Sequence, residues 1–209
     1  MTISYAVTAC NEHVELERLL DQLNSFISSE DEIVVQLDTT ATTEVKKVAE
    51  RYNLGTPYEY HRIICSLNND FAAFKNNLKD HCTRDYIFFL DADEYLGHSL
   101  LTYIKDILRD NPKVDCYAIP RVNTVEGIQP DHVKKWGWQL NNVGWINYPD
   151  YQTRICKNDK SIVWSGKVHE KLVGWKVGAH IPQEEPDYAL QHPKTIERQE
   201  KQNNYYNTL

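Results

Sequence analysis

The sequence lacks the spacings that most often betray a site. Neither GxGxxG nor GxxxxGK[ST] occurs in its 209 residues, which excludes the dinucleotide fingerprint and the P-loop. Its five cysteines (Cys10, Cys65, Cys82, Cys116, Cys156) never fall in CxxC spacing. An odd, scattered set fits reduced thiols and a cytoplasmic location better than disulfides or a zinc site. No run approaches the roughly 18 apolar residues of a membrane span, and MTISYAVTACNEH has no basic start or cleavage site, so neither a membrane segment nor a signal peptide is expected. Positive charge is short as well. With 23 Lys and Arg against 30 Asp and Glu, the net charge is −7, which argues against a generic nucleic-acid binder. Glycine is scarce, and six of the eight glycines lie with all five tryptophans between residues 127 and 178.

What is present alternates. ISYAVTA (3–9), EIVVQL (32–37), YEYHRIIC (58–65) and DYIFFL (85–90) read as strands. Between them, Leu16, Leu19, Leu20, Leu23, Phe26 and Ile27 mark one apolar helical face over 12–27. A short helix carries Val45, Val48, Ala49 and Tyr52, and FAAFKNNLKDHC (71–82) is a third helix. Such alternation implies an α/β fold, a mainly parallel, Rossmann-like sheet flanked by helices. In these sheets ligands bind outside the carboxyl ends of the strands, where Asp38 and Asp91 fall. Beyond residue 95 a helix is expected over 98–109, a strand in VDCYAIP (114–120) and a polar helix in PKTIERQEKQNNYY (193–206). We expect one domain over 1–209, with a ligand-binding half to residue 95 and a substrate-specific half after it.

The segment DYIFFLDADEYL poses the chemical question. A buried strand ends in Asp91, Asp93 and Glu94, whose mutual repulsion in a low-dielectric setting needs something positive nearby. Solvated acids at a strand end are the bland reading of any DxD. The position at the ligand edge of an α/β sheet favours a hard divalent cation, Mg²⁺ or Mn²⁺, shared with a diphosphate. An EF-hand is excluded because Tyr95, Leu96 and Thr102 stand where a ligand, glycine and glutamate are needed. VHEKL (168–172) is not a zincin, since Val173 replaces the second histidine. Trp136, Trp138, Trp145, Trp164 and Trp175 read either as core fillers or as a platform for a sugar ring. His192 alone reads as an ordinary histidine.

Taken in order, ISYAVTACNEHVELERLLDQL, DEIVVQLD, FAAFKNNL, DYIFFLDADEYL, YPDYQTRI, WSGKVHEKLVG and LQHPKTIERQ resemble the family 2 glycosyltransferases of the GT-A fold. The likeness covers residues 3–198 and is greatest to the bacterial group that adds hexoses to lipopolysaccharide or lipooligosaccharide cores. It implies that Thr8, Asn11 and Glu12 line a nucleotide pocket, with Asp38 on the base or ribose. Lys75 and Asn76 would lie near the donor, Asp91 on the nucleotide sugar, and Asp93 and His192 on a Mn²⁺ or Mg²⁺ ion. Asp150 matches the acidic residue used as base. Arg154, Trp164, His169 and Glu170 would shape the acceptor side. DTTATTE departs from the family, lacking its usual glycine and second aspartate. The resemblance implies an inverting, metal-dependent transfer from a nucleotide-diphosphate sugar, with UDP-sugars favoured, to a saccharide or other hydroxyl. Abundant Asn, Lys and Tyr hint at an AT-rich genome, viral ones included, which adds a modified nucleobase to the acceptor classes. Two rivals stand beside this reading. A nucleotidyltransferase would need a basic triphosphate grip, which is not found. A non-catalytic nucleotide- or carbohydrate-binding protein would have lost Asp93 or Asp150.

Overall fold

Apolar patterns of strand and helix period alternate through the first half, and each segment takes up the element that its period favours. A computed structural model describes residues 1–52 and 56–206. The order begins β1 (Ile3–Ala9), α1 (His13–Phe26), β2 (Glu32–Asp38), α2 (Thr43–Arg51), β3 (Glu59–Cys65), α3 (Phe71–Asp80) and β4 (Tyr86–Asp91). β1, β2 and β4 are buried along almost their whole length, as strands covered on both faces must be. β3 is more exposed because it is the edge strand. Leu16, Leu19, Leu20 and Leu23 bury one face of α1 completely. Phe26, expected on that face, is instead 45% exposed and meets the ring of His98 edge-on. It is the last residue of the helix, and Ile27, where the chain turns extended, packs against the core in its stead.

The second half supplies β5 (Tyr95–Leu96), α4 (His98–Asp110), β6 (Cys116–Ile119), β7 (Arg121–Glu126), α5 (Pro130–Trp136), β8 (Gln152–Lys157), β9 (Val163–Ser165), β10 (Lys171–Val173), β11 (Gly178–His180), β12 (Leu190–Thr195) and α6 (Ile196–Tyr206). The main sheet has the order β11-β6-β8-β4-β1-β2-β3. It is parallel throughout except for β8, which runs antiparallel to both β4 and β6. Pro120 then ends β6, and the chain passes at once into a smaller sheet of order β5-β12-β7.

That small sheet contradicts one expectation. Residues 193–195 are strand, not helix, and α6 begins at Ile196. Leu190, His192 and Lys194 are buried in alternation, a period of two that a proline and two polar residues disguise. Pro193 is tolerated because β5 pairs with Leu190 and Gln191 alone, leaving that edge of β12 open beside the proline. No helix among the described residues is long and apolar enough to cross a membrane.

Candidate functional site

Two strand pairs converge on the DADE segment. Thr8 and Asp91 are register partners at the carboxyl ends of β1 and β4, and the Thr8 hydroxyl donates to Asp91 Oδ1 at 3.1 Å. From the small sheet, β7 brings Arg121 and Asn123 and β12 brings His192 and Lys194. Each pair is spaced by two, and Asn123 lies opposite His192 in register. Residues two apart on a strand share a face, so four polar side chains are delivered together.

The carboxylates are compensated chiefly by side chains. Arg154 Nη2 lies 2.6 Å from Asp91 Oδ2 and 2.6 Å from Glu94 Oε1. Lys75 Nζ is 3.7 Å from Asp91 and 2.7 Å from Glu170. Arg121 bridges outward, with Nη1 3.0 Å from Glu94 and Nη2 2.6 Å from Asp150. Burial pushes the Asp91 pKa up, but Arg154 and Lys75 outweigh it and hold the carboxyl well below the usual range. Asp93 is likewise held low, with the His192 hydrogen bond and the charges of His192 and Lys194 prevailing over burial. Its Oδ2 faces His192 Nε2 at 3.2 Å, Arg198 Nη2 at 3.3 Å and Lys194 Nζ at 3.6 Å. Arg198 also pairs with Glu15 and lies 3.5 Å from Glu12, tying α6 to α1.

Asp150 accepts from four donors. Arg121 Nε and Nη2 and Asn123 Nδ2 reach Oδ2 at 3.0, 2.6 and 2.9 Å, and Gln152 Nε2 reaches Oδ1 at 2.8 Å. Burial would raise its pKa, yet Arg121 and these hydrogen bonds bring it below the ordinary 3.8. Its side chain remains 28% exposed.

One carboxylate of this cluster has an oxygen left to offer a cation. Both oxygens of Asp91 are taken, and Glu94 is fully buried on Arg121 and Arg154. Asp93 Oδ1 has no hydrogen bond among the described residues, and an imidazole nitrogen stands beside Oδ2. The carboxylate oxygen suits a hard cation such as Mn²⁺ or Mg²⁺, and the adjacent imidazole nitrogen favours a first-row transition ion over Mg²⁺. A second grouping, Glu32, Glu59 and His61, is a different matter. Arg84 already pairs with Glu59 at 2.7 Å, and Ser4 and Thr83 hydrogen-bond the buried Glu32.

The remaining residues named from sequence separate into two groups. Glu12 Oε2 accepts the amides of Cys10 and Asn11 at 2.8 and 2.9 Å, and so shapes the turn after β1. Asp38 accepts from the Thr40 hydroxyl and the amides of Thr40 and Leu67, which hold its pKa low against burial. Asn76 is not turned toward the carboxylates: its amide both donates to and accepts from the Trp164 backbone, at 2.9 and 2.8 Å. Trp164 is buried edge-to-face on Phe89, and Lys75 lies 4.7 Å above its ring. His169 adopts a positive φ of 56° next to Glu170. Arg154, expected toward an acceptor, is buried between Asp91 and Glu94. Sequence reasoning missed Arg121, Asn123, Lys194 and Arg198. The alternation of RVNTVE and LQHPKT was the signal that could have found the first three.

The model of the family described as Glycosyl transferase family 2 matches residues 4–167. The chain belongs to that family. Among solved structures, TarS of S. aureus, residues 1–349, in complex with UDP-GlcNAc superposes with a TM-score of 0.60 at 14% identity, over 93% of this chain and 59% of that one. A second structure of TarS residues 1–349 gives 0.59 at 14% identity, over 92% and 60%. At such identity the likeness establishes the GT-A fold and nothing finer. The mannosyltransferase PcManGT from Pyrobaculum calidifontis, with GDP-Man and Mn²⁺, is 20% identical over 57% of this chain and 35% of that one. Its TM-score of 0.48 is too low to argue from. This family 2 chain thus spans about 60% of the TarS fragment's length and 35% of PcManGT's. Among curated proteins nothing matches it.

Proposed function

We propose that this chain transfers a sugar from a nucleotide-diphosphate sugar to an acceptor hydroxyl, with inversion at the anomeric carbon. The supporting observation is that Arg121 links Asp150 to the DADE cluster through Glu94, so a partly exposed carboxylate and the strand-end acids share one edge. An acceptor hydroxyl is a poor nucleophile, and Asp150 Oδ1, with a single donor on it, accepts its proton as it attacks. A lowered pKa keeps that carboxylate ionised at neutral pH. On the other side, Asp91 orients the nucleotide sugar. Lys194 and Arg198 add positive charge where the diphosphate leaves. Asp93 and His192 would hold a Mn²⁺ or Mg²⁺ ion, which supplies Lewis-acid stabilisation of the leaving group. Residues 1–95 are the donor half of a single domain and 96–209 the acceptor half. The acceptor is a saccharide or another hydroxyl compound, a modified nucleobase included, and a UDP-sugar is the donor to test first.

The test is a panel of UDP- and GDP-sugars, scored for Mn²⁺-dependent release of the nucleoside diphosphate and then for transfer. Asp150→Asn should bind the active donor normally and transfer about 10²–10⁴ times more slowly. Transfer by this variant within a few-fold of the wild-type rate would move the base elsewhere, with Glu170 the next candidate.

A further inference from the structure

Positive charge is short in this chain but concentrated in one stretch. Residues 160–178 carry Lys160, Lys167, Lys171 and Lys176 against a single acid, Glu170, a net +3 in a chain of −7. All four lysines are exposed and none enters an ion pair among the described residues, whereas Glu170 is taken by Lys75 at 2.7 Å. The hairpin of β9 and β10 lies at the centre of this stretch. Its inner face is Trp164 and Leu172, register partners that are both buried. Strand alternation turns their neighbours outward. Val163 pairs with Val173 and Ser165 with Lys171, and all four are exposed. With Trp175 and Val177, which follow, four large apolar side chains are 38–45% exposed between residues 163 and 177. Trp175 is the one exposed tryptophan of the five. Its indole N–H already donates to the Leu172 carbonyl at 2.9 Å, so the ring can enter an apolar layer without giving up a water partner.

We propose that the outer face of this hairpin docks on an anionic lipid bilayer surface. Exposed valines and a tryptophan among lysines suit the boundary between head groups and acyl chains. The apolar side chains enter the boundary, the indole sits at head-group level, and the lysine stems keep their ammonium groups among the phosphates. Composition separates this partner from others. Protein interfaces are enriched in arginine and depleted in lysine, yet no arginine occurs between Arg154 and Arg198. A nucleic-acid backbone would use the lysines but gain nothing from Val163 and Val173. The nearest other acids are engaged, Asp115 by Lys157 at 3.0 Å and Asp159 by the Ser161 amide at 2.7 Å. The rest of the chain is negative, and an anionic surface repels it, which leaves this face to approach. The turn of the hairpin also carries Glu170, whose partner Lys75 lies 3.7 Å from Asp91, so the docked face borders the candidate site.

Docking can be read without metal or donor. The full chain is mixed with sucrose-loaded vesicles of phosphatidylcholine and phosphatidylglycerol in equal parts, and with vesicles of phosphatidylcholine alone. Wild type should sediment with the first and not the second, and raised salt should release it. Lys171→Gln with Lys176→Gln should weaken partition about 25-fold, about fivefold for each lysine. Val163→Ser with Val173→Ser should weaken it too, because apolar area is lost while charge is unchanged. Both pairs are exposed, so urea midpoints should match wild type. Wild-type fluorescence should be quenched by brominated acyl chains, and Trp175→Phe should remove most of that quenching. This last comparison decides alone if a paired variant fails to fold. A wild type that does not sediment with the anionic vesicles overturns the proposal. Sedimentation that ignores the valine pair would reduce the contact to charge adsorption and overturn it as well. So would tighter binding to a labelled RNA or DNA oligonucleotide that depends on the lysines but not on the valines.

Discussion

Asp91, Asp93 and Glu94 are three acids in four residues, and what each has left to offer differs. Asp91 spends one oxygen on Thr8 and the other on Arg154. Glu94 is buried to 0% exposure and bonded to Arg121 and Arg154, so it serves to position those arginines. Asp93 alone keeps an oxygen free of hydrogen bonds among the described residues. Replacing Asp93 with Ala should therefore abolish Mn²⁺-dependent turnover and weaken nucleoside diphosphate binding, and it should also cost some stability because the buried Lys194 loses its carboxylate partner. Calorimetry with UDP and GDP, with and without Mn²⁺, checks this on the same samples. Affinities that ignore the metal in both proteins would remove Asp93 from that role.

At the scale of elements, α4 shows how distant segments of the second half are tied together. Its N-cap is Gly97, which has no side chain to cap the helix. Asp187 does so from a distant segment, accepting from the amides of His98 and Ser99 at 3.1 and 2.8 Å and from the Ser99 hydroxyl at 2.6 Å. A carboxylate at a helix N-terminus satisfies free amides and complements the helix dipole. The close approach demands glycine: a Cβ at residue 97 would lie 2.0 Å from the Asp187 carbonyl oxygen. Gly97→Ala should destabilise the protein by about 1–3 kcal/mol, the usual cost of overpacking against backbone. Urea unfolding of wild type and variant would show it as a lower midpoint at unchanged slope. Equal midpoints would mean that the 187 segment can move aside. Since β12 follows directly from that segment, a smaller loss accompanied by weaker Mn²⁺ binding would trace the strain into the site.

For the molecule as a whole, the carboxylates make acid stability a test of the electrostatics. Asp38, Asp91 and Asp150 all have folded pKa values below the ordinary 3.8. The unfolded chain then binds more protons than the folded one as pH falls, so these groups stabilise the fold above about pH 4 and lose that contribution as pH drops through their folded values. The urea midpoint should be flat with respect to them from about pH 5 to 7 and decline below about pH 4. Asp38 is the cleanest probe because its partners are neutral, the Thr40 hydroxyl and backbone amides. Asp38→Asn should make the acid limb shallower, and parallel profiles would contradict the hydrogen-bond origin of its shift. The same scale explains what could be read beforehand. β1, α1, β2, α2, β3, α3 and β4 were legible because a doubly covered strand or an amphipathic helix writes its burial into a local apolar period. Asp91, Asp93, Asp150 and His192 were legible as residue types in an ordered set of motifs. Arg121, Asn123 and Lys194 were not, since β7 and β12 are short, polar and interrupted by Pro193. By itself, then, the sequence determined the alternating half and the acids at its edge, because both depend on neighbours within a few residues. Which cation answers which acid, and which carboxylate oxygen stays open, was decided only by tertiary structure: it depends on the parallel register of β7 and β12, strands nearly seventy residues apart that no local pattern brings together.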